Sequence, residues 1–304
     1  MQRSPSKPIM RRTVFILTIV LSLILSALVA ARFALAALFP AAIVVYMSLP
    51  AGLPEIIVHD LSHNLKLRLD HFDYVEPAIS PDGKRLALTQ LLPYGSDIMV
   101  YDIASARSRR LTGSNAIAES PAWSPDGEWI AFHSNREGDN NIYVIRPDGS
   151  DERRITASDA SERQPAWSPD GESLAFASNR GDGWDIYTYH LPSASLTQLT
   201  THPNPDNSPD WSPDGKTIAF ASRRDGASAI YLYSLERRQV TPLVVEFRYD
   251  SLPKWTPDGR AVTFARSVDG VSRIMRVEVE TGELTRMQLG EPDADSLSWW
   301  RQQT

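Results

Sequence analysis

The letters PAWSPDG stand at residues 121–127 and again at 165–171. The same frame recurs as PAISPDG from Pro77, PDWSPDG from Pro209 and PKWTPDG from Pro253. The prolines of the SPDG or TPDG core are Pro81, Pro125, Pro169, Pro213 and Pro257, and every step between them is 44 residues. Five copies in one register define a repeat protein, in which each unit is stable only against its neighbours.

Each unit carries the same four elements. In the second, PAWS (121–124) reads as a short strand, PDG as a turn, WIAFHS (129–134) as a second strand, NIYVIR (141–146) as a third and RRIT (153–156) as a fourth. Proline presets φ, aspartate reaches the backbone ahead of it, and glycine supplies the positive φ that closes a hairpin. In the second strand, large residues alternate with small ones. Ile130 and Phe132 recur as Leu86 and Leu88, Leu174 and Phe176, Ile218 and Phe220, and Val262 and Phe264, around Ala87, Ala131, Ala175, Ala219 and Thr263. A sheet packed on both faces by other sheets needs that combination. A column running Ile79, Trp123, Trp167, Trp211, Trp255 and Trp299 places aromatic bulk between sheets. Four short strands per 44 residues predict an all-β, six-bladed β-propeller of four-stranded blades. Five units are complete. IIVHDL (56–61), LKLRL (65–69) and SLSWW (296–300) supply most of a sixth blade from opposite ends of the chain.

The amino terminus is of another kind. Thr13–Ala31 runs 19 residues without a charge behind a basic leader, long enough to cross a hydrocarbon core of about 30 Å. Three topologies compete for it: an uncleaved signal anchor with the body exported, a cleaved signal peptide ending at the ALA of 34–36, and a two-helix hairpin whose return helix is the second apolar stretch, 33–49. The first is favoured, because Arg32 would have to form nearly the whole turn of the hairpin. The expected division is therefore residues 1–50 as a basic leader with a transmembrane helix, and 51–304 as the propeller, on the extracytoplasmic side of the cell membrane. Residues 1–50 hold five basic residues and no acidic one, leaving 26 basic against 37 acidic in the body, which argues against a nucleic-acid partner.

The PxWSPDGxxIAF frame, with SNR at Ser134–Arg136 and Ser178–Arg180 and DIYTY at Asp185–Tyr189, resembles the carboxy-terminal propeller of the TolB family over roughly residues 55–300. The resemblance implies a six-bladed exported propeller. It does not carry over that family's separate α/β domain, since only about 50 residues precede the repeats. Similar propellers cap serine peptidases of the prolyl oligopeptidase type, but no G-x-S-x-G elbow occurs here. Others are polysaccharide lyases with a histidine-rich metal centre.

No catalytic constellation emerges from the residues. The six histidines (His59, His63, His71, His133, His190, His202) form no H-x-H or H-E-x-x-H motif, and no cofactor or metal site is expected. Arg180-Gly181-Asp182 is a variant of a turn read REG, RRD and RSV in other units. There are no cysteines, hence no thiolate chemistry. The segments leading into each innermost strand differ most between units, and loops on a rigid scaffold are where function concentrates. They offer Glu76, Glu119, Arg163, Gln164, Asn207, Asp250 and Asp295 as a polar, largely acidic channel mouth suited to a protein or peptide partner. The alternative is a carbohydrate-active or other hydrolytic or lyase propeller with a metal in the channel.

Overall fold

The computed structural model describes residues 43–48, 54–61, 64–69, 73–113, 115–244, 246, 249–290 and 294–300. They form six four-stranded antiparallel sheets, the blades of a propeller. The inner strands of blades one to five are Tyr74–Ile79, Ala118–Trp123, Glu162–Trp167, Asp206–Trp211 and Tyr249–Trp255. In these blades the chain moves outward strand by strand before passing to the next blade.

The sixth blade closes the ring. Its inner strand is Ala294–Trp299, and its second, third and outer strands are Ile43–Ser48, Glu55–Asp60 and Leu65–Leu69. The second strand corrects the sequence reading, which left IVVYMS in the amino-terminal segment and began the propeller after residue 50. Val44 pairs with Trp299 and Val45 with Ser298 on one side, and with His59 and Val58 on the other. Val44 and Tyr46 pack with Ala265 and Ile274 of blade five, while Val45 packs with Ile79, Leu86 and Leu88 of blade one. The apolar run looks membranous because the strand is buried on both faces. No helix among the described residues is long and apolar enough to cross a membrane, and Thr13–Ala31 lies outside them.

The alternation of large and small residues works as expected. Ala87 of blade one meets Ile130 and Phe132 of blade two, and Ala131 meets Leu174 and Phe176. Ala175 meets Ile218 and Phe220, and Ala219 meets Val262 and Phe264. Trp123 and Trp167 each send an indole N–H back to the preceding blade, to the carbonyls of Ala78 at 3.0 Å and Ala122 at 3.2 Å.

Turn packing accounts for the repeated SPDG. In blade two, Ser124 N–H donates to the Trp129 carbonyl, the Trp129 N–H to Ser124 Oγ and the Glu128 N–H to Asp126 Oδ1, each at 2.9 Å. Gly127 takes φ of 70°. The glycine of one turn also abuts the proline of the turn before: a Cβ at Gly215 would stand 3.2 Å from Pro169 Cγ. The motif is thus both a hairpin and a blade-to-blade contact. Each of its aspartates accepts a hydrogen bond from the Ser or Thr hydroxyl two residues before it. The Ser212 hydroxyl bond, with the Lys216 N–H, outweighs burial and lowers the Asp214 carboxyl below 3.8. A lowered folded-state pKa contributes stability at pH above the unfolded value and loses it as pH falls through the folded one. Asp214→Asn is therefore expected to make urea stability fall less steeply with acid below pH about 4 than in the parent; an unchanged slope would dismiss this contribution.

Candidate functional site at the channel mouth

Three consecutive residues of each inner strand decide what the channel presents. The first, in the series Tyr74, Ala118, Glu162, Asp206, Asp250 and Ala294, is buried in every blade. Where it is acidic an arginine neutralises it: Arg180 with Glu162 at 2.5 Å, Arg224 with Asp206 at 2.8 Å, and Arg266 with Asp250 at 2.7 and 2.8 Å. Two of these arginines belong to the SNR column. In blade two, where the acid is replaced by Ala118, the corresponding Arg136 pairs with Glu152 instead. Arg180 is thereby engaged within the fold rather than displayed as part of an Arg-Gly-Asp tripeptide.

The second residue, in the series Val75, Glu119, Arg163, Asn207, Ser251 and Asp295, is half-buried or exposed, towards the end where the strand begins. The third, in the series Glu76, Ser120, Gln164, Ser208, Leu252 and Ser296, has φ between 50° and 56° in all six blades. Pairing slips at this point in every blade, as at Val75/Ala78 and Glu119/Ala122, so each inner strand carries a β-bulge. A non-glycine residue in the left-handed region costs roughly 1 kcal/mol or more. Six in one ring mean that the fold sustains the strain everywhere it lines the channel. Bulges re-aim side chains. Here a proline follows in five blades, and its missing N–H suits a strand leaving its ladder.

The re-aimed residues, with the prolines after them, line an opening of about 560 Å³ including its solvent-filled part. Long side chains in the ring reach across to the next blade. Glu76 Oε2 accepts from the Ser120 N–H at 2.8 Å and from Thr89 Oγ1 at 2.9 Å, and Gln164 Oε1 accepts from the Ser208 N–H at 3.0 Å. Asp295 Oδ1 accepts from the neighbouring Ser296 N–H at 2.8 Å. Deeper in the channel, Lys254 Nζ donates to Asp210 Oδ1 at 3.0 Å.

The mouth is electrostatically uneven. Burial pushes the Glu119 carboxyl up, and the nearby Glu76 charge adds to this against a bond from Ser96 Oγ and the attraction of Arg163. His133 stands beside it, its Nε2 3.8 Å from Glu119 Oε2. Burial, with Arg163, lowers the imidazole to about 3, so it is neutral at pH 7. Arg163 itself is exposed and lies over the Trp184 ring at 5.0 Å. The blades one to three side of the mouth thus sets two carboxylates beside one cation.

Of the seven residues expected at the mouth, Glu119, Arg163, Asn207 and Asp295 share the second position, and Glu76 and Gln164 the third. Asp250 does not belong with them: it occupies the buried first position, paired with Arg266. The sequence reading missed Ser120, Ser208, Leu252 and Ser296 in the ring and the Lys254–Asp210 pair below it. The residue before each recurring proline was the available signal. The four described histidines, His59, His133, His190 and His202, form no metal-binding group, and His63 and His71 lie outside the described residues. His190 pairs across with Ser173 at the SPDG end of its blade, whereas His133 lies beside Glu119 at the mouth. No three His, Asp or Glu residues among those described are arranged to hold a metal ion.

The comparisons agree with this architecture. No curated protein sequence matches the chain significantly. TolB of Acinetobacter baumannii is similar at 22% identity and a TM-score of 0.72, over 87% of this chain and 67% of that one. A TolB homologue from Agrobacterium tumefaciens is 23% identical with a TM-score of 0.67, over 81% of this chain and 88% of that one. The fold is also shared, at 14% identity and a TM-score of 0.61, with an oligogalacturonate lyase in complex with manganese, over 80% and 72% of the two chains. The model of the TolB beta propeller domain matches residues 40–165 and 160–299, and the chain belongs to that family.

Proposed function

We propose that this propeller is an exported, membrane-anchored binding module, without catalysis, that takes a protein or peptide segment at its channel mouth. The observation that carries the reading is the ring of six bulged, left-handed residues lining an open channel beside Glu119 and Arg163. Strain concentrated at a solvent-accessible opening is a feature of binding sites. An extended segment with a basic side chain would complement Glu76 and Glu119, while Arg163 and the Lys254–Asp210 pair offer partners for its carbonyls and acidic groups.

The anchor reading rests on Thr13–Ala31. The hairpin alternative needs residues 33–49 as a return helix, yet the strand at Ile43–Ser48 is committed to the sixth blade. The ten residues from 33 to 42 would make a helix of only about 15 Å, half a hydrocarbon core. An exported body is therefore favoured, with the propeller on the extracytoplasmic side of the cell membrane. A metal-dependent lyase or hydrolase role, as in some propellers of this fold, would require a ligand cluster, and no three His, Asp or Glu among the described residues form one.

Capture from native membranes with full-length tagged protein tests the site. Wild-type protein is expected to retain a reproducible partner that the triple variant Glu119→Ala, Arg163→Ala, Asn207→Ala loses at least about tenfold, with its melting curve unchanged. Equal retention would refute the site assignment. Stoichiometric bound metal with no partner would favour the enzymatic reading.

A further inference from the structure

Blade six is the blade whose inner and second strands are not joined by an SPDG turn; one ends at Trp299 and the other begins at Ile43, so the chain enters and leaves the ring there. Trp300 fixes the place. Its backbone N–H donates to the Ile43 carbonyl and its indole N–H to the Pro81 carbonyl, both at 3.0 Å. Its ring packs on the blade-one turn so closely that a Cβ at Gly83 would stand 2.7 Å from Trp300 Nε1. Trp300 thus occupies, against Gly83, the position that Pro125, Pro169 and Pro213 hold against the glycines of the next turns. Ile43 is pinned into the ring of turns, so the first described residue of the sixth blade lies on that face. Glu119, Arg163 and Asn207 stand near the opposite ends of their strands.

We infer that the anchored propeller is held with its SPDG face towards the bilayer and its channel mouth away from it, so that its partner is a protein presented from the aqueous side rather than one embedded in the same membrane. The inference rests on the anchor proposed above. Residues 32–42 would be the tether, eleven residues spanning at most about 40 Å when fully extended. The face turned to the lipid carries Asp82, Asp126, Asp170, Asp214 and Asp258, each accepting a backbone N–H two residues on. Lys84, Arg85, Lys216 and Arg260 stand among these aspartates, so the face presents no single-sign charge that would draw it onto an anionic leaflet. The tether, not adhesion, then sets the standoff, and the six-residue inner strands lift the mouth about 20 Å further.

The chain has no cysteine, so single labels are clean. Full-length Lys216→Cys, on a turn, and Tyr94→Cys, on the hairpin between the second and third strands of blade one, are each labelled with a donor dye. Both are placed in nanodiscs containing acceptor-labelled phosphatidylglycerol. Because one site lies about a strand length nearer the lipid, energy transfer is expected to be at least roughly twofold greater from 216 than from 94. Equal or reversed transfer in protein that co-purifies with the discs overturns the orientation alone. Failure to co-purify removes the anchor, and the orientation with it.

Discussion

A chain beginning at residue 50 is expected to unfold or aggregate, whereas one beginning at residue 39, which also lacks Thr13–Ala31, folds and melts cooperatively. The two differ by the strand Ile43–Ser48 and the few residues before it. Ile43, Val44, Val45 and Tyr46 are at most 2% exposed. Burying a side chain of that size contributes about 1.5–3 kcal/mol, so four together approach the whole stability of an ordinary domain, about 5–15 kcal/mol. The loss is topological as well. Without this strand, the inner strand Ala294–Trp299 has no hydrogen-bonded neighbour, the strand Glu55–Asp60 becomes an open edge, and Ala265 and Ile274 face solvent. Exposed edges of apolar strands recruit other chains. Circular dichroism melts and sedimentation of the two truncations check this; a monomeric, equally stable chain from residue 50 would show that ring closure does not depend on the strand.

The same strand shows where reading the sequence stops. Five units were legible because a proline-aspartate-glycine turn recurs at 44 residues and must touch its neighbours at that spacing. Blade six has no such turn, since its inner and second strands are far apart in sequence and Trp300 stands in the turn's place, and its second strand sits in FALAALFPAAIVVYMSL, which also reads as a membrane run. A short apolar stretch buried on both faces has no alternation to betray it. The site was legible in composition but not in register. Polar residues were gathered from loops leading into the inner strands, although side chains one position apart along a strand point to opposite faces. Stepping by 44 from Glu119 reaches Arg163 and Asn207, while stepping from Glu162 reaches Asp206 and Asp250. The bulge was hidden because no sequence rule demands a left-handed residue before proline; the six-fold recurrence of φ near 50° comes from the geometry of the ring.

Asp250 is therefore expected to matter for stability and not for partner binding. Its carboxylate is wholly buried, and both oxygens accept from Arg266, whose guanidinium is 7% exposed and also contacts Glu246. Removing one partner of a buried ion pair costs about 3–5 kcal/mol, and the Glu246 contact that Arg266 keeps places the loss towards the lower end of that range. Asp250→Ala should accordingly lower the urea midpoint by a large fraction. Glu119→Ala should change it little, because that carboxyl is disfavoured where it stands: burial and Glu76 already push its pKa up. Partner capture should show the reverse order, with Glu119→Ala impaired and the folded fraction of Asp250→Ala retaining its partner. The double variant Asp250→Ala, Arg266→Met separates the charge from the cavity. If the loss of the Asp250 carboxylate beside the buried guanidinium is the cause, removing Arg266 as well restores much of the lost stability, since the two effects are coupled rather than additive. If the double variant is no more stable than Asp250→Ala, the damage lies in packing between blades four and five, and the pair is not what holds this part of the mouth in place.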